Sequence, residues 1–123
     1  MNIAIVGLGN IGSYFYNYLK INKNIIFDKT NVKPNILFVS ARSFKKKRNF
    51  AVPKKIWLKN YLSATKIKKI DVIIELIGGA EGPAKKLVFE ALKNKKHVIT
   101  ANKALVAKYG DLFSKIAEKN KVN

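Results

Sequence analysis

Met1-Asn2-Ile3-Ala4-Ile5-Val6-Gly7-Leu8-Gly9-Asn10-Ile11-Gly12 is the stretch that decides the fold. Residues 2–6 are almost wholly apolar with little alternation, as a strand buried on both faces of a parallel sheet would be. Glycines at 7, 9 and 12 follow at once, and Ile11, Phe15, Tyr18 and Leu19 then fall at helical spacing. A glycine turn alone is common. One that leaves a buried strand and opens a helix is the context of a dinucleotide site. In that context Gly7 makes the tight turn, Gly9 lets the backbone approach a pyrophosphate, and Gly12 lets helix and strand pack closely. The amides of Asn10 and Ile11, at the helix N-terminus, are expected to face the phosphates with the helix dipole behind them. Leu8 is expected to lie along the cofactor with its main chain.

Outward from this turn, Ile36–Val39, Asp71–Ile77 and His97–Thr100 read as three further apolar strands. The polar stretch Asn22–Asn35, with Asp28, Asn31 and Pro34 as turn formers, reads as a connecting loop or a frayed extension. Ile56-Trp57-Leu58 suggests a short strand and Tyr61–Lys69 a brief helix. Pro83 sits where a first helical turn accepts proline, and Ala84, Leu87, Val88, Ala91 and Leu92 repeat on one helical face. Ala104–Lys108 looks helical up to Gly110, after which Asp111 is placed to cap a last helix presenting Leu112, Phe113, Ile116 and Ala117. Strands alternating with helices specify an α/β domain over 1–123: a Rossmann-type, doubly wound, mainly parallel sheet with flanking helices.

The bulk numbers narrow the function. A length of 123 residues with 48% hydrophobic content is a foldable globular domain. The absence of cysteine excludes a disulfide framework, a zinc–thiolate centre and a cysteine nucleophile. No basic segment precedes the N-terminal apolar run and glycines interrupt it, so it is neither a signal peptide nor a membrane span. A soluble, cytoplasmic protein is the expectation. The net charge of +18 asks whether nucleic acid is a partner. Of the 25 basic residues only Arg42 and Arg48 are arginine, and the lysines are spread through every segment. Base readout favours arginine and surface aromatics, so attraction of a phosphate-bearing small molecule is the better reading.

The end of the second strand bears on which dinucleotide. An acid there binds a ribose 2′-hydroxyl, whereas an arginine accommodates a 2′-phosphate. There is no acid between Ile36 and Phe50, but Arg42 and Ser43 stand just after the strand. The run Lys45-Lys46-Lys47-Arg48 reads as a solvated loop that adds point charges nearby. The residues therefore favour NADP(H), with NAD(H) the alternative.

Two further segments, Glu75-Leu76-Ile77-Gly78-Gly79 and His97-Val98-Ile99-Thr100-Ala101-Asn102-Lys103-Ala104-Leu105-Val106-Ala107, resemble homoserine dehydrogenases. The resemblance takes in the glycine turn, the "GPA" after Glu81 and the "YGDLF" from Tyr109, and covers nearly the whole chain. It implies reduction of aspartate 4-semialdehyde to homoserine with NADPH or NADH, on the route to threonine and methionine. It also implies a homodimer or larger assembly. By the same resemblance Ile77, Gly78, Gly79, Ala101 and Asn102 line the nicotinamide side of the cleft, and Lys103 projects to where cofactor and substrate meet. A lysine ammonium there stabilises a developing alkoxide or handles its proton, which makes Lys103 the candidate catalytic residue.

Glu75, an acid inside an apolar strand, is expected to be structural, bonded to loop backbone at the sheet's edge, because burial without such bonds is costly. His97 is likewise expected to be structural, and no spacing suits a metal site. The resemblance implies that relatives continue past the position of Asn123 into a substrate and dimerisation domain with carboxylates and a second lysine. The chain is accordingly expected to bind cofactor without turning over. Two other classes stay open: a related amino-acid dehydrogenase such as aspartate dehydrogenase, and a non-catalytic nucleotide-sensing module.

Overall fold

A computed structural model of the protein describes residues Met1–Asn123. Four strands, β1 (Asn2–Val6), β2 (Asn35–Ser40), β3 (Val72–Glu75) and β4 (His97–Thr100), form one all-parallel sheet in the order β2-β1-β3-β4. The chain leaves β1 in one direction to lay down β2, then crosses back to place β3 on the other side. The crevice at the carboxyl ends of β1 and β3 is thus the topological switch point, where ligands bind in open α/β sheets.

The apolar run of β1 divides its side chains between two cores. Ile3 and Ile5 pack with Tyr16 and Leu19 of helix α1 (Asn10–Ile21), while Ala4 and Val6 pack with Leu87 and Ala91 of helix α4 (Pro83–Lys93). A strand covered by a helix on each face has no polar side, which is why residues 2–6 did not alternate. A third core joins Val88 and Leu92 of α4 to Leu105 and Phe113 of helix α5 (Lys103–Asn120). Full burial of each large aliphatic side chain is worth ~1.5–3 kcal/mol, so these contacts fix both helices against the sheet.

Four elements differ from the sequence expectation. Within the expected loop Asn22–Asn35, residues Lys23–Thr30 form a helix, α2, ended by Asn31 in the left-handed conformation. None of its residues is buried, so it carries no apolar stripe for the sequence to show. The break foreseen at Gly110 is absent: α5 runs through it, and Asn102, not Asp111, is its cap. A mid-helix glycine costs only ~1 kcal/mol, less than the packing of Leu105 and Phe113 returns. The strand expected at Ile56–Leu58 shrinks to a 3-10 turn over Lys54–Ile56 and a single bridge between Trp57 and Val39. The helix expected at Tyr61–Lys69 is the short α3 (Ser63–Lys66).

Candidate functional site

The glycine turn is built by close approach of backbone to backbone. Gly7 has φ +105°, and a Cβ there would lie 2.3 Å from the Leu76 carbonyl oxygen. A Cβ at Gly12 would lie 1.9 Å from the Gly7 carbonyl oxygen, so α1 reaches the turn only because Gly12 has no side chain. Gly9 is different: a Cβ there would meet no atom within 4 Å. Nothing inside the protein requires glycine at 9, whereas a ligand approaching the backbone would. Gly9 is also the N-cap of α1, and no side chain caps the helix. The first-turn amides of Asn10 and Ile11 therefore have no side-chain cap from the protein.

Two cavities meet at this turn. One, of about 530 Å³, is lined by Gly9, Asn10 and Ile11 on one side and by Leu76, Ile77, Gly78, Ala101, Asn102 and Lys103 on the other. The second, of about 420 Å³, runs from Leu8, Gly9 and Asn10 past Ser13, Tyr14 and Asn17 to the loop Lys46–Phe50. Gly9 and Asn10 belong to both, so the cavities are two lobes on either side of an uncapped helix N-terminus. The second lobe carries Lys46, Lys47 and Arg48 and no acid.

The wall of the first lobe is set by a buried polar network. Glu75, 0% exposed, accepts on Oε1 from the Ile77 amide at 2.6 Å and from the Gly78 amide at 3.3 Å, and on Oε2 from the Thr100 hydroxyl. The Thr100 Oγ1 accepts in turn from the Asn102 amide at 3.0 Å. Asn102 then caps α5, its Oδ1 accepting from the Leu105 amide at 3.0 Å, while its Nδ2 donates to the Gly79 carbonyl. Each buried oxygen of Glu75 has a donor, which removes the cost of burying it. This is the structural role expected of Glu75. Lys103, the first residue of α5, is exposed and makes no ion pair within the chain, so its ammonium is available to the lobe.

The structure thus brings Gly9, Asn10, Ile11, Ile77, Gly78, Ala101, Asn102 and Lys103 to one lobe and Leu8 to the other. Gly7 and Gly12 lie behind the turn as packing positions, and Gly79 touches the site through its bond to Asn102. Arg42 and Ser43 line neither lobe. The second lobe also takes in Lys46, Lys47 and Arg48, which the sequence places in a loop adding charge nearby. Arg48 is half-buried rather than solvated: it donates to the carbonyls of Lys46 and Ser43 at 3.1 and 3.0 Å, and its guanidinium lies 5.6 Å from the Trp57 ring centre. Phe50 stacks on Tyr16, with ring centres 5.1 Å apart. These contacts fold the basic run back toward α1. Its place straight after β2, and the aromatics at 44, 50 and 57, were the signals available. His97 stands away from both lobes, its Nδ1 accepting from the Asn123 amide at 3.1 Å.

No helix is long and apolar enough to cross a membrane. Comparison with known proteins bears on the same residues. Homoserine dehydrogenase of Neisseria gonorrhoeae is 34% identical over 122 residues, which are 99% of this chain and 28% of that protein. Homoserine dehydrogenase of Bacillus subtilis is 31% identical over 120 residues, covering 98% of this chain and 28% of the relative. Among solved structures, S. aureus homoserine dehydrogenase at pH 7.5 superposes with a TM-score of 0.89 at 35% identity, over 99% of this chain and 31% of that one. The chain spans less than a third of the length of these relatives. The model of the homoserine dehydrogenase NAD-binding domain matches residues 7–123, and the chain belongs to that family.

Proposed function

We propose that the two lobes hold a nicotinamide dinucleotide, with its pyrophosphate over Gly9 and the first amides of α1. The observation that carries this is the shared edge of the lobes at Gly9–Asn10, an uncapped helix N-terminus where a Cβ has open space. When bound, the cofactor supplies or accepts hydride. The adenosine side then falls in the lobe with Lys46, Lys47 and Arg48, and the nicotinamide side against Ile77, Gly78, Ala101 and Asn102. NADP(H) is preferred over NAD(H): the adenosine lobe has three cations and no acid, which suits a 2′-phosphate and offers a ribose diol no carboxylate. Arg42, exposed at the end of β2, adds to that field from outside the lobe.

Within this proposal the chain is the cofactor-binding part of an oxidoreductase that interconverts aspartate 4-semialdehyde and homoserine, in amino-acid biosynthesis in the cytoplasm. Lys103 provides the ammonium that stabilises the alkoxide as the aldehyde is reduced. Turnover needs a substrate-binding, dimerising part as well, and these residues alone bind cofactor without catalysis. The relatives' family supports homoserine over aspartate dehydrogenase chemistry. Titration of the chain with NADPH and NADH, followed by nicotinamide fluorescence, tests the proposal. Saturable binding with NADPH the tighter is expected. Tighter NADH would overturn the cofactor preference, and binding of neither would overturn the site.

A further inference from the structure

The loop between β3 and α4 forms part of the first lobe, and beyond Leu76 and Ile77, which pack on the cores, its glycines have hardly any packing to hold them. Gly78, Gly79 and Gly82 have φ of +85°, +78° and +70°, and a Cβ on any of them would meet nothing within 4 Å. Three glycines in open space give a backbone many alternatives, so this conformation has to be held by polar ties. At the β3 end the ties are those from Glu75 to the Ile77 and Gly78 amides and from Asn102 to the Gly79 carbonyl. At the α4 end the tie is Glu81. Its Oε1 accepts from Lys108 Nζ and from the Tyr109 hydroxyl, both on α5. Lys85 Nζ lies 3.8 Å from its Oε2 and 4.0 Å from the centre of the Tyr109 ring.

Resting on the reading of this lobe as the nicotinamide site, we propose that Glu81 is a positioning residue for the nicotinamide end of the cofactor. It acts by tying the glycine loop to α5. The wall of the lobe opposite Gly9, Asn10 and Ile11 is shared by the loop, through Ile77 and Gly78, and the start of α5, through Asn102 and Lys103. Glu81 bridges those same two elements without lining the lobe, so it fixes how loop and helix meet along that wall without touching the ligand. The cluster is exposed, with the side chains of Glu81 and Lys108 55% and 58% accessible. Exposed ion pairs add little to global stability, so the effect of losing this one is on loop order and not on the fold.

The test is calorimetric titration of wild-type chain, Glu81→Ala, Glu81→Gln and Lys108→Met with two probes. One is NADPH; the other is 2′-phospho-ADP-ribose, which lacks the nicotinamide. Glu81→Ala is expected to weaken NADPH about fivefold, as couplings through a mobile element do. Its affinity for 2′-phospho-ADP-ribose and its melting temperature stay at the wild-type values. Lys108→Met gives the same selective loss, and Glu81→Gln, which keeps an acceptor oxygen, falls between. Equal losses for both probes, or no loss for either, overturn the positioning role while leaving the cofactor site standing. If the wild-type chain binds neither probe, the cofactor reading fails and the proposal with it.

Discussion

Glycines 9 and 12 belong to one motif, yet the structure separates their roles so sharply that a pair of alanine substitutions tests both. At Gly9 the backbone (φ −72°, ψ −159°) suits any residue, and the added Cβ meets no atom within 4 Å. Restricting the unfolded chain gains ~0.4–1 kcal/mol, and the weaker N-cap preference of alanine gives back a similar amount. Gly9→Ala should therefore melt within about 3 °C of wild type. At Gly12 the added Cβ would sit 1.9 Å from the Gly7 carbonyl oxygen and 2.8 Å from its carbon. Because both atoms are backbone, α1 has to move. Overpacking of this kind costs ~1–3 kcal/mol, and the melting temperature falls by roughly 4–12 °C. Binding reverses the order of specificity. The methyl of Gly9→Ala occupies the space over which the pyrophosphate is to pass, and NADPH affinity should fall at least tenfold, ~1.4 kcal/mol or more, in a protein that is otherwise intact. Differential scanning fluorimetry and a fluorescence titration on the two variants suffice. Wild-type NADPH affinity in a folded Gly9→Ala protein refutes the turn as the phosphate seat, and a wild-type melting temperature in Gly12→Ala refutes the backbone contact.

Other outcomes follow from the same geometry. Thr100→Val takes a donor from Glu75 and the acceptor from the Asn102 amide, so chemical denaturation should show a loss of ~2–4 kcal/mol; a loss near zero contradicts the buried network. Gly110→Ala places a Cβ 3.5 Å from a Val106 methyl inside a continuous helix and should stabilise the protein by ~0.5–1 kcal/mol. Destabilisation there would mean that α5 is broken at Gly110 after all. Lys46→Ala combined with Lys47→Ala should narrow the preference for NADPH over NADH by about fivefold, the worth of two exposed charge contacts; loss of the preference in Arg42→Ala alone would place the 2′-phosphate elsewhere. The hydrogen bond from Lys108, then that from Tyr109, holds the Glu81 carboxyl below the usual carboxylate range, with Lys85 adding its charge. A depressed folded-state pKa means that the tie is complete above the ordinary range and is lost as pH falls through the lower value. A carbon-detected NMR titration should show that low midpoint, and Lys108→Met should raise it; an unmoved midpoint contradicts the tie.

The strands and the glycine turn were legible because their signals are local. A strand buried on both faces must be apolar throughout, and Gly7 and Gly12 are demanded by contacts that a side chain would block. Helix α2 was invisible because none of its residues is fully buried and only Ile26 packs on the core, and hydrophobic periodicity records what is buried. The division of α5 at Gly110 took a propensity of about 1 kcal/mol as decisive, when the packing of Leu105 and Phe113 on α4 outweighs it. In the site, Asn10, Ile11, Ile77, Ala101, Asn102 and Lys103 follow strand ends or open helices, so topology alone carries them to the crevice. The path of Lys46–Arg48 depends instead on Arg48 lying over Trp57 and Phe50 stacking on Tyr16. Such contacts between distant segments leave no periodic trace, whereas Arg42 stands just after β2 in the sequence itself. The Glu81 tie was hidden for the same reason, since its partners stand 27 and 28 residues away.

One dinucleotide is proposed to span both lobes across the glycine turn. Amide chemical-shift mapping of the isotopically labelled chain during an NADPH titration addresses it directly. Saturable shifts are expected, largest at Gly9, Asn10 and Ile11. They should extend to Lys46–Phe50 on one side and to Gly78, Asn102 and Lys103 on the other. Shifts confined to one lobe, or centred away from the start of α1, would contradict it.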